Sequence, residues 1–193
     1  KAEKFTLSVK ISMNNEFTPR SFSEGGPIEY KKGYANFAGC KIDLSYRPMI
    51  PRKETEYWVK KAIQQIKSQK SKVKSQNLNI LDVFSGSGCI GIAVLKSCLE
   101  QCRRMVFSDI DKNFIKQIKL NLKLNKINPT CPAKGGKRYN VIQSDVFKNI
   151  KGSGSKFDYI FANPPYIPLK NKHLVQESVL DFEPQSALFG GED

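Results

Sequence analysis

The tetrapeptide Asn163-Pro164-Pro165-Tyr166 directly follows the apolar segment FDYIFA and can bind a planar NH2 group. An Asn side-chain oxygen and the Pro164 carbonyl oxygen can each accept one N–H, which fixes the nitrogen for reaction and stabilises charge as it develops. The two prolines restrict φ and hold these acceptors in place, and Tyr166 offers an aromatic wall. The alternative is a structural Pro-Pro turn in which Asn163 bonds to nearby backbone.

A glycine-containing loop and a later acidic residue indicate a nucleoside site. LDVFSGSGCIG places Gly86 and Gly88 between an apolar segment and a helical pattern, and Asp109 ends the next apolar segment about 20 positions later. In a doubly wound sheet, such glycines let the backbone approach a ligand, and the acid accepts hydrogen bonds from ribose hydroxyls. The alternatives are an ordinary tight turn and a helix N-cap at Asp109, with Asp111 as a competing cap.

The loop departs from the fingerprint of dinucleotide-binding proteins. Gly86-Ser87-Gly88 is followed by Gly91, and no glycine occupies position 84, which is Phe84. S-adenosylmethionine has no pyrophosphate, so its loop must admit a carboxylate and a sulfonium and does not need to cradle phosphates. The pattern therefore favours a methyl donor over NAD.

Repeated strand-helix units must position these residues. Short apolar segments predict four strands: NILDVF, RMVFSD, YNVIQ and FDYIFA. Apolar residues at helical spacing predict two helices, CIGIAVLKSCL and DKNFIKQIKLNLKLN, the second with Phe114, Ile115, Ile118 and Leu122 on one side. Near-continuous apolar strands that alternate with helices predict a parallel sheet covered on both faces. We expect FDYIFA to form one edge of it.

The residues before this core predict a smaller β-containing extension. Strand patterns occur near the N-terminus, at Ala35 to Phe37 and at Lys41 to Leu44. A helix follows, with one apolar face formed by Trp58, Val59, Ala62, Ile63 and Ile66. We therefore predict three parts: a strand and connector at 1–26, a hairpin and helix at 27–76, and a catalytic core at 77–193.

Composition limits the class of protein. The 193 residues are 39% hydrophobic and 26% charged, which is typical of a globular protein and predicts no membrane span. Five scattered cysteines predict reduced thiols in the cytosol, and Cys98 and Cys102 lack a second pair that would complete a metal site. The net charge of +14 favours an acidic partner such as nucleic acid, or reflects lysines spread over solvated faces.

Residues 27 to 193 resemble the HemK/PrmC family of peptide-chain release factor glutamine N5-methyltransferases. The motifs that carry the resemblance occur in this order: GPIEYKKGYANFAGCKIDL, MIPRKETEYWV, ILDVFSGSGCIGIAVL, FSDID, VIQSDVF, YIFANPPYIP and FEPQSALFGGED. NPPY alone also occurs in methyltransferases that modify adenine or guanine, whereas IPRKETE before the glycine loop is more selective. The resemblance implies a Rossmann-like α/β class I methyltransferase sheet, S-adenosylmethionine as cofactor, and the glutamine of a Gly-Gly-Gln loop as substrate.

The resemblance also implies roles for particular residues. Those expected to bind the cofactor are Phe84, Ser85, Gly86, Ser87, Gly88, Asp109, Ile110, Asp145, Val146 and Asn163. In this assignment the loop binds the methionine part, Asp109 the ribose and Asp145 the adenine amino group. The expected catalytic and substrate-binding residues are Asn163, Pro164, Pro165 and Tyr166. Alternatives are a helix cap at Asp145, and for Arg52 and Glu56 either an ion pair that supports the site or a plain surface pair.

Two departures from the family bear on the expected activity. Relatives carry a helical N-terminal domain that grips the release factor, and they continue through further helices and strands, so we expect this sequence to be incomplete at its C-terminus. We expect a monomer that has the release factor as its partner and no membrane partner. The alternative functions are a nucleic-acid N6-adenine or N2-guanine methyltransferase, which must flip its target base, and an inactive cofactor-binding module.

Overall fold

The computed structural model describes residues 26–68, 78–130, 136–150 and 156–192. The first described elements are a short helix α1 (Ile28–Lys32), an antiparallel hairpin of β1 (Tyr34–Phe37) and β2 (Cys40–Asp43), and helix α2 (Lys53–Ser68). The predicted hairpin and helix are therefore confirmed. The strand predicted near the N-terminus lies outside the described residues, and the division into three parts stays a prediction.

A four-stranded parallel sheet follows. Its strands are β3 (Leu78–Val83), β4 (Cys102–Asp109), β5 (Tyr139–Gln143) and β6 (Tyr159–Ala162), in the spatial order β5-β4-β3-β6. Helix α3 (Cys89–Ser97) joins β3 to β4, and helix α4 (Lys112–Leu124) joins β4 to β5. All four predicted strands and both predicted helices are confirmed, and β6 is an edge strand with β3 as its neighbour.

The direction of the crossovers decides which face of the sheet each helix covers. The steps from β3 to β4 and from β4 to β5 move the same way across the sheet. Right-handed crossovers therefore place α3 and α4 on one face. The next strand in the chain, β6, lies beyond β3 on the opposite side of the sheet from β5, so the handedness rule favours the other face for the described residues of the β5–β6 connection.

The two faces are packed unequally. The main core joins the hairpin and α2, α3 and α4 to one face of the sheet; there Trp58 of α2 stacks on Phe161 of β6 with ring centroids 6.1 Å apart. On the other face, Leu81, Val83 and Val106 are covered by loop residues that include Val146, Ile150 and Phe157. The prediction that both faces are covered is confirmed, but the two coverings differ: helices pack on one face, and in the described residues turns of the β5–β6 connection cover the other.

The amphipathic helices follow their sequence patterns. Val59, Ile63 and Ile66 of α2 are buried, as are all four apolar residues predicted for α4. Asp111 caps α4, and its side chain accepts a hydrogen bond from the Asn113 N–H at 2.7 Å. Within the described ranges, none of the helices combines the length and apolar character that crossing a membrane requires. The cytosolic location stays a prediction.

The last described elements follow β6 closely. A short strand β7 (Ile167–Pro168) leads into a 3-10 helix (Leu169–Leu174) and helix α5 (Glu177–Phe182). A second 3-10 turn (Gln185–Ala187) precedes β8 (Phe189–Gly191), which pairs in parallel with β7. The chain after the sheet thus folds back onto the residues that follow β6.

Candidate functional site

The candidate site lies at the carboxyl edge of the sheet, where the chain order reverses beside β3. Val83 pairs with Ser108 on one side and with Ala162 on the other. Phe84 therefore begins its loop between Asp109 and Asn163. Neighbouring strands are about 4.8 Å apart, so the register brings the glycine loop, the acid and the tetrapeptide to one crevice, which is the usual ligand position in open α/β sheets.

The glycine loop adopts a conformation that requires left-handed backbone angles. Phe84 has φ 59°, Gly86 φ 53° and Gly88 φ 78°. Ser85 ties the loop to both strands beneath it, because its hydroxyl donates to the Asp82 carbonyl at 2.7 Å and its N–H donates to the Ser108 carbonyl at 3.0 Å. The left-handed Phe84 is strained relative to a glycine at that position, and it explains why β3 ends at Val83 and does not include Phe84.

Asp109 supports this loop and does not cap the following helix. One carboxylate oxygen accepts the Gly86 N–H at 2.8 Å and the other accepts the Asp111 N–H at 3.0 Å. Because Asp111 is the cap of α4, the N-cap alternative for Asp109 is wrong. Burial raises the pKa of Asp109, while the two N–H donors oppose the shift. A carboxylate has about four lone-pair directions, so capacity remains for ligand hydroxyls.

Asp82 is a candidate site residue that the sequence analysis missed. Its side chain is fully buried directly below the loop. One oxygen accepts the Gly91 N–H at 2.9 Å, whereas Oδ1 has no hydrogen-bond partner among the described residues. Burial raises the pKa of Asp82 to about 7, and the nearby Asp109 carboxylate adds to the shift. The signal in the sequence was an acid inside the apolar segment ILDVF, immediately before the glycines.

The close approach of Gly91 to β3 and β4 makes this arrangement possible. A Cβ at Gly91 would lie 2.4 Å from the Phe107 ring and 2.8 Å from an Asp82 carboxylate oxygen. Glycine inside a helix costs about 1 kcal/mol relative to alanine. Glycine is nevertheless required at position 91, because no side chain fits between α3 and the Asp82 carboxylate.

Two buried amides on α4, also missed from the sequence, connect the hairpin to the loop. Asn121 donates to the Ser87 carbonyl at 2.9 Å and to the Asp43 carbonyl at 3.1 Å, and it accepts the Asp43 N–H at 2.7 Å. Gln117 accepts the Tyr46 N–H at 2.8 Å. Both side chains are fully buried. Two amides four residues apart on an otherwise apolar helix face were the available signal.

The tetrapeptide forms the short irregular connection, the Asn163 turn, between β6 and β7. Asn163 is half-buried, and its carboxamide has no hydrogen-bond partner among the residues described. The alternative in which Asn163 bonds to nearby backbone is therefore wrong within those residues. Tyr166 is 72% exposed, so its ring borders the site without packing into the protein. The turn leaves an amide acceptor free where a substrate can approach.

The residues behind this turn hold it through β8. The Ile167 N–H donates to the Leu188 carbonyl at 3.0 Å. Gly190 lies against the turn so closely that a Cβ there would be 2.7 Å from the Pro165 carbonyl oxygen. The turn is therefore supported from one side and open on the other.

The expected ion pair between Arg52 and Glu56 is wrong. Arg52 pairs with Glu183 at the end of α5. Glu56 pairs with Lys60 at 2.5 Å and accepts the Ala38 N–H at 3.1 Å. Glu56 and Lys60 lie one helical turn apart on α2, which favours their pairing, whereas Arg52 precedes the helix and reaches across to the segment after the tetrapeptide.

The remaining expected cofactor residues follow β4 and β5. Asp145 lies in a turn and forms an ion pair with Lys148 at 2.5 Å, so the helix-cap alternative is wrong. Val146 has φ 47°, which is rare for a β-branched residue and marks local strain; its side chain packs on the cluster that contains Val83. The Ile110 carbonyl accepts a hydrogen bond from the Gln143 side chain at 3.0 Å, which joins the loops after β4 and β5.

Sequence comparison finds relatives along most of the chain. A family model described as conserved hypothetical protein 95 matches residues 46–188. The release factor glutamine methyltransferase of Rhodopirellula baltica is 32% identical over 174 residues, 90% of this chain and 54% of the relative. The protein of the same name from Haemophilus influenzae is 31% identical over 176 residues, 88% of this chain and 55% of the relative. The chain spans about half the length of the curated relatives it matches.

Structural comparison identifies the fold. The catalytic domain of human METTL16, solved in complex with an RNA hairpin, matches with a TM-score of 0.50 and 15% identity, covering 79% of this chain and 51% of that chain. The parallel sheet and its helices therefore form the α/β class I S-adenosylmethionine-dependent methyltransferase fold. Because the family model matches more than half of the residues, the chain belongs to the family described as conserved hypothetical protein 95, and it is a homologue of the HemK/PrmC release factor glutamine methyltransferases.

Proposed function

We propose that this chain contains the cofactor site and reaction centre of a protein-(glutamine-N5) methyltransferase, of class EC 2.1.1, that modifies a peptide-chain release factor. The observation that carries the proposal is the free Asn163 carboxamide beside the glycine loop, in a chain 32% identical to a protein named release factor glutamine methyltransferase. The Gly-Gly-Gln loop of the release factor is the proposed substrate region. We also propose that the protein is a monomer and is located in the cytosol.

The residues at the carboxyl edge fit S-adenosylmethionine. The loop from Phe84 to Gly88 would hold the methionine part, and Asp109 has lone pairs left for the ribose hydroxyls. The adenine would lie near the loops after β4 and β5, bounded by Ile110, Asp145 and Val146. Asp82 adds a buried carboxylate oxygen without a partner beneath the loop, which suits a site for a ligand with a positively charged ammonium group. When bound, this cofactor supplies a methyl group attached to a positively charged sulfur.

The tetrapeptide supplies orientation and polarity for the reaction. A glutamine amide is a weak nucleophile because its nitrogen lone pair is delocalised into the carbonyl group. Asn163 Oδ1 and the Pro164 carbonyl each accept one N–H, so the NH2 group has a fixed direction and positive charge on its nitrogen is stabilised. The methylated nitrogen becomes strongly acidic and loses its extra proton to water, so no general base is required.

One experiment tests this proposal. The 193-residue chain is incubated with methyl-labelled S-adenosylmethionine and with a release factor, a release factor whose Gly-Gly-Gln glutamine is replaced by alanine, or duplex DNA. The expected result is label on the unmodified release factor alone. Label on DNA and none on the release factor would replace the proposal with a nucleic-acid methyltransferase. Cofactor binding by calorimetry without transfer to either substrate would indicate an inactive binding module.

A further inference from the structure

An ion pair between a buried Glu183 and a 36% exposed Arg52 joins the segment before α2 to the segment that supports the Asn163 turn. Arg52 and Glu183 are 131 positions apart, and the Glu183 side chain is only 1% exposed. The second Glu183 oxygen accepts the Ile50 N–H at 3.3 Å. The loop that carries Arg52 is itself fixed, because the Tyr30 hydroxyl donates to the Pro48 carbonyl at 2.8 Å in a buried contact. Glu183 is thus attached to a rigid part of the N-terminal extension.

The chain from Glu183 to the turn is short and continuous. Glu183 is followed by the 3-10 turn Gln185–Ala187 and then by β8. Just before β8 the Leu188 carbonyl accepts the Ile167 N–H, and within β8 the Gly190 backbone lies against the Pro165 carbonyl. The position of Glu183 therefore determines where the strand behind the turn lies.

The turn needs such support because of its place in the sheet. It follows β6, which among the described strands pairs only with β3, and the Asn163 side chain makes no hydrogen bond to any described residue that would orient the turn. A charged pair that is also hydrogen-bonded fixes direction better than an apolar contact, and buried ionic groups are retained in some proteins for conformational specificity. An arginine fork opposite a carboxylate has a defined geometry.

We propose that Arg52 and Glu183 are a positioning pair for methyl transfer, which acts through β8 to set the location of Asn163 and the Pro164 carbonyl. This inference rests on the proposed function for its catalytic consequence. Neither residue touches the substrate or the cofactor in this assignment. The pair acts on the turn alone, so it should affect the rate of transfer and leave cofactor binding unchanged.

The test compares Arg52→Gln, Glu183→Gln and the double variant with Lys60→Gln. Lys60 is a matched control because it belongs to the neighbouring ion pair with Glu56 and is 58% exposed. Each single variant at the Arg52–Glu183 pair should lower kcat for release factor methylation at least about fivefold, with a smaller change in KM and a cofactor Kd within about twofold of wild type. The double variant should be no slower than the slower single variant, since both changes remove one interaction. Arg52→Lys should recover part of kcat.

Amide hydrogen exchange supplies a readout that does not depend on activity. Breaking the pair should increase exchange at the Ile167 N–H, which bonds to Leu188, and leave exchange at the Ile92 N–H of α3 unchanged. Unchanged exchange at Ile167, or equal increases at both amides, would overturn the inference even if Arg52→Gln is poorly folded. With an active wild type, unchanged kcat in both single variants would also overturn it. No methylation by wild type would instead refute the proposed function, and the exchange result would still decide the positioning role.

Discussion

The two halves of the candidate site are built in opposite ways. At the cofactor end, the polar residues are buried: Ser85 is 7% exposed, Ser87 3% and Asp109 8%. The side chains of Ser85 and Asp109 are hydrogen-bonded to backbone groups. At the substrate end, Tyr166 is 72% exposed and Asn163 has no hydrogen-bond partner in the described chain. The difference indicates that the cofactor end is formed before any ligand arrives, whereas the substrate end keeps its acceptors free for the incoming amide.

The supports of the two ends also differ. The glycine loop follows the central strand β3 and is tied to β4 by Ser85 and to α4 by Asn121. The tetrapeptide follows β6, an edge strand among those described, and is supported by the close approach of Gly190 to the Pro165 carbonyl and by the bond from the Ile167 N–H to the Leu188 carbonyl beside it. A small, rigid cofactor suits the first arrangement, and a protein loop that must approach from solvent suits the second. Changes at one end should therefore leave the other end intact.

Replacing Asp109 by alanine should break the cofactor end most strongly. The variant loses up to two charge-assisted hydrogen bonds to the ribose, each contributing at most about 1.5 to 3 kcal/mol, and it leaves the Gly86 and Asp111 N–H groups unpaired. We expect cofactor affinity measured by calorimetry to fall about a hundredfold. Asp111→Ala is the control: it removes the α4 cap, which costs about 1 kcal/mol of stability, with little effect on affinity. Equal affinities for Asp109→Ala and wild type would limit Asp109 to a structural role.

The buried acid at the cofactor end should make stability depend on pH. The pKa of Asp82 is raised from 3.8 to about 7, so the folded state binds more protons than the unfolded state between these values. The stability contributed by protonated Asp82 is therefore complete below about pH 4 and is lost as the pH rises through about 7. Three pKa units correspond to at most about 4 kcal/mol.

Asp82→Asn isolates this contribution from those of Asp109 and Glu183, whose pKa values are also raised. The uncharged variant should exceed wild type in unfolding free energy by about 1 to 3 kcal/mol at pH 8 and by much less at pH 5. Urea unfolding at both values measures the difference. A gap that is the same at pH 5 and pH 8 would mean that Asp82 does not titrate in this range.

At the substrate end, Asn163→Ala should lower kcat/KM for the release factor at least about tenfold. The incoming NH2 group loses one acceptor, and an unmade buried hydrogen bond costs about 1 to 3 kcal/mol. Cofactor affinity should change much less.

Asn163→Asp retains an acceptor but adds a negative charge beside the cofactor's positive sulfur. It should therefore also disturb the alignment of the substrate amide more than it disturbs folding. Asn36→Ala removes an exposed asparagine of β1 and is the control. Wild-type rates in Asn163→Ala would show that the tetrapeptide is only a turn.

The residues of the cofactor end could be predicted from the sequence, whereas the long-range contacts that support the site could not. Apolar periodicity located every strand of the sheet, and the glycines and Asp109 have local signatures because their roles depend on a turn next to a strand. The partners of Arg52 and Asn121 were not foreseeable in this way. Glu183 lies 131 positions from Arg52, and Asn121 meets Ser87 only after α4 packs beside the loop. Pairings of this kind depend on the folded geometry, which a linear pattern does not contain.

The same limit applies to coverage of the sheet. Alternation of strands and helices correctly predicted two covered faces, but it did not show that α2, α3 and α4 all pack on one face while loop residues cover the other in the described chain. The reason is the strand order: both helical crossovers move the same way, whereas the described residues of the β5–β6 connection pack on the other face. Strand order was not predicted from the sequence. Asp82 was visible as an acid in an apolar strand, but its missing partner became apparent only from its burial.

Gly190→Ala should have the smallest effect and should separate placement of the turn from stability. Gly190 does not have a left-handed φ, so alanine is allowed by its backbone, and the substitution would by itself favour folding by about 0.4 to 1 kcal/mol through the unfolded chain. The new Cβ, however, would lie 2.7 Å from the Pro165 carbonyl oxygen. An ordinary contact is longer by several tenths of an ångström, so the turn must move away from β8.

We expect kcat/KM for the release factor to fall about threefold in Gly190→Ala, with the unfolding free energy within about 1 kcal/mol of wild type. Cofactor affinity should be unchanged, because the hydrogen bonds of Ser85 and Ser87 tie the glycine loop to β4 and α4. Ser186→Ala changes an exposed residue in the same segment and should leave all three quantities at wild-type values. If Gly190→Ala weakened cofactor binding as much as it slowed transfer, the two ends of the site would be coupled, and the contrast between a closed cofactor end and an open substrate end would fail.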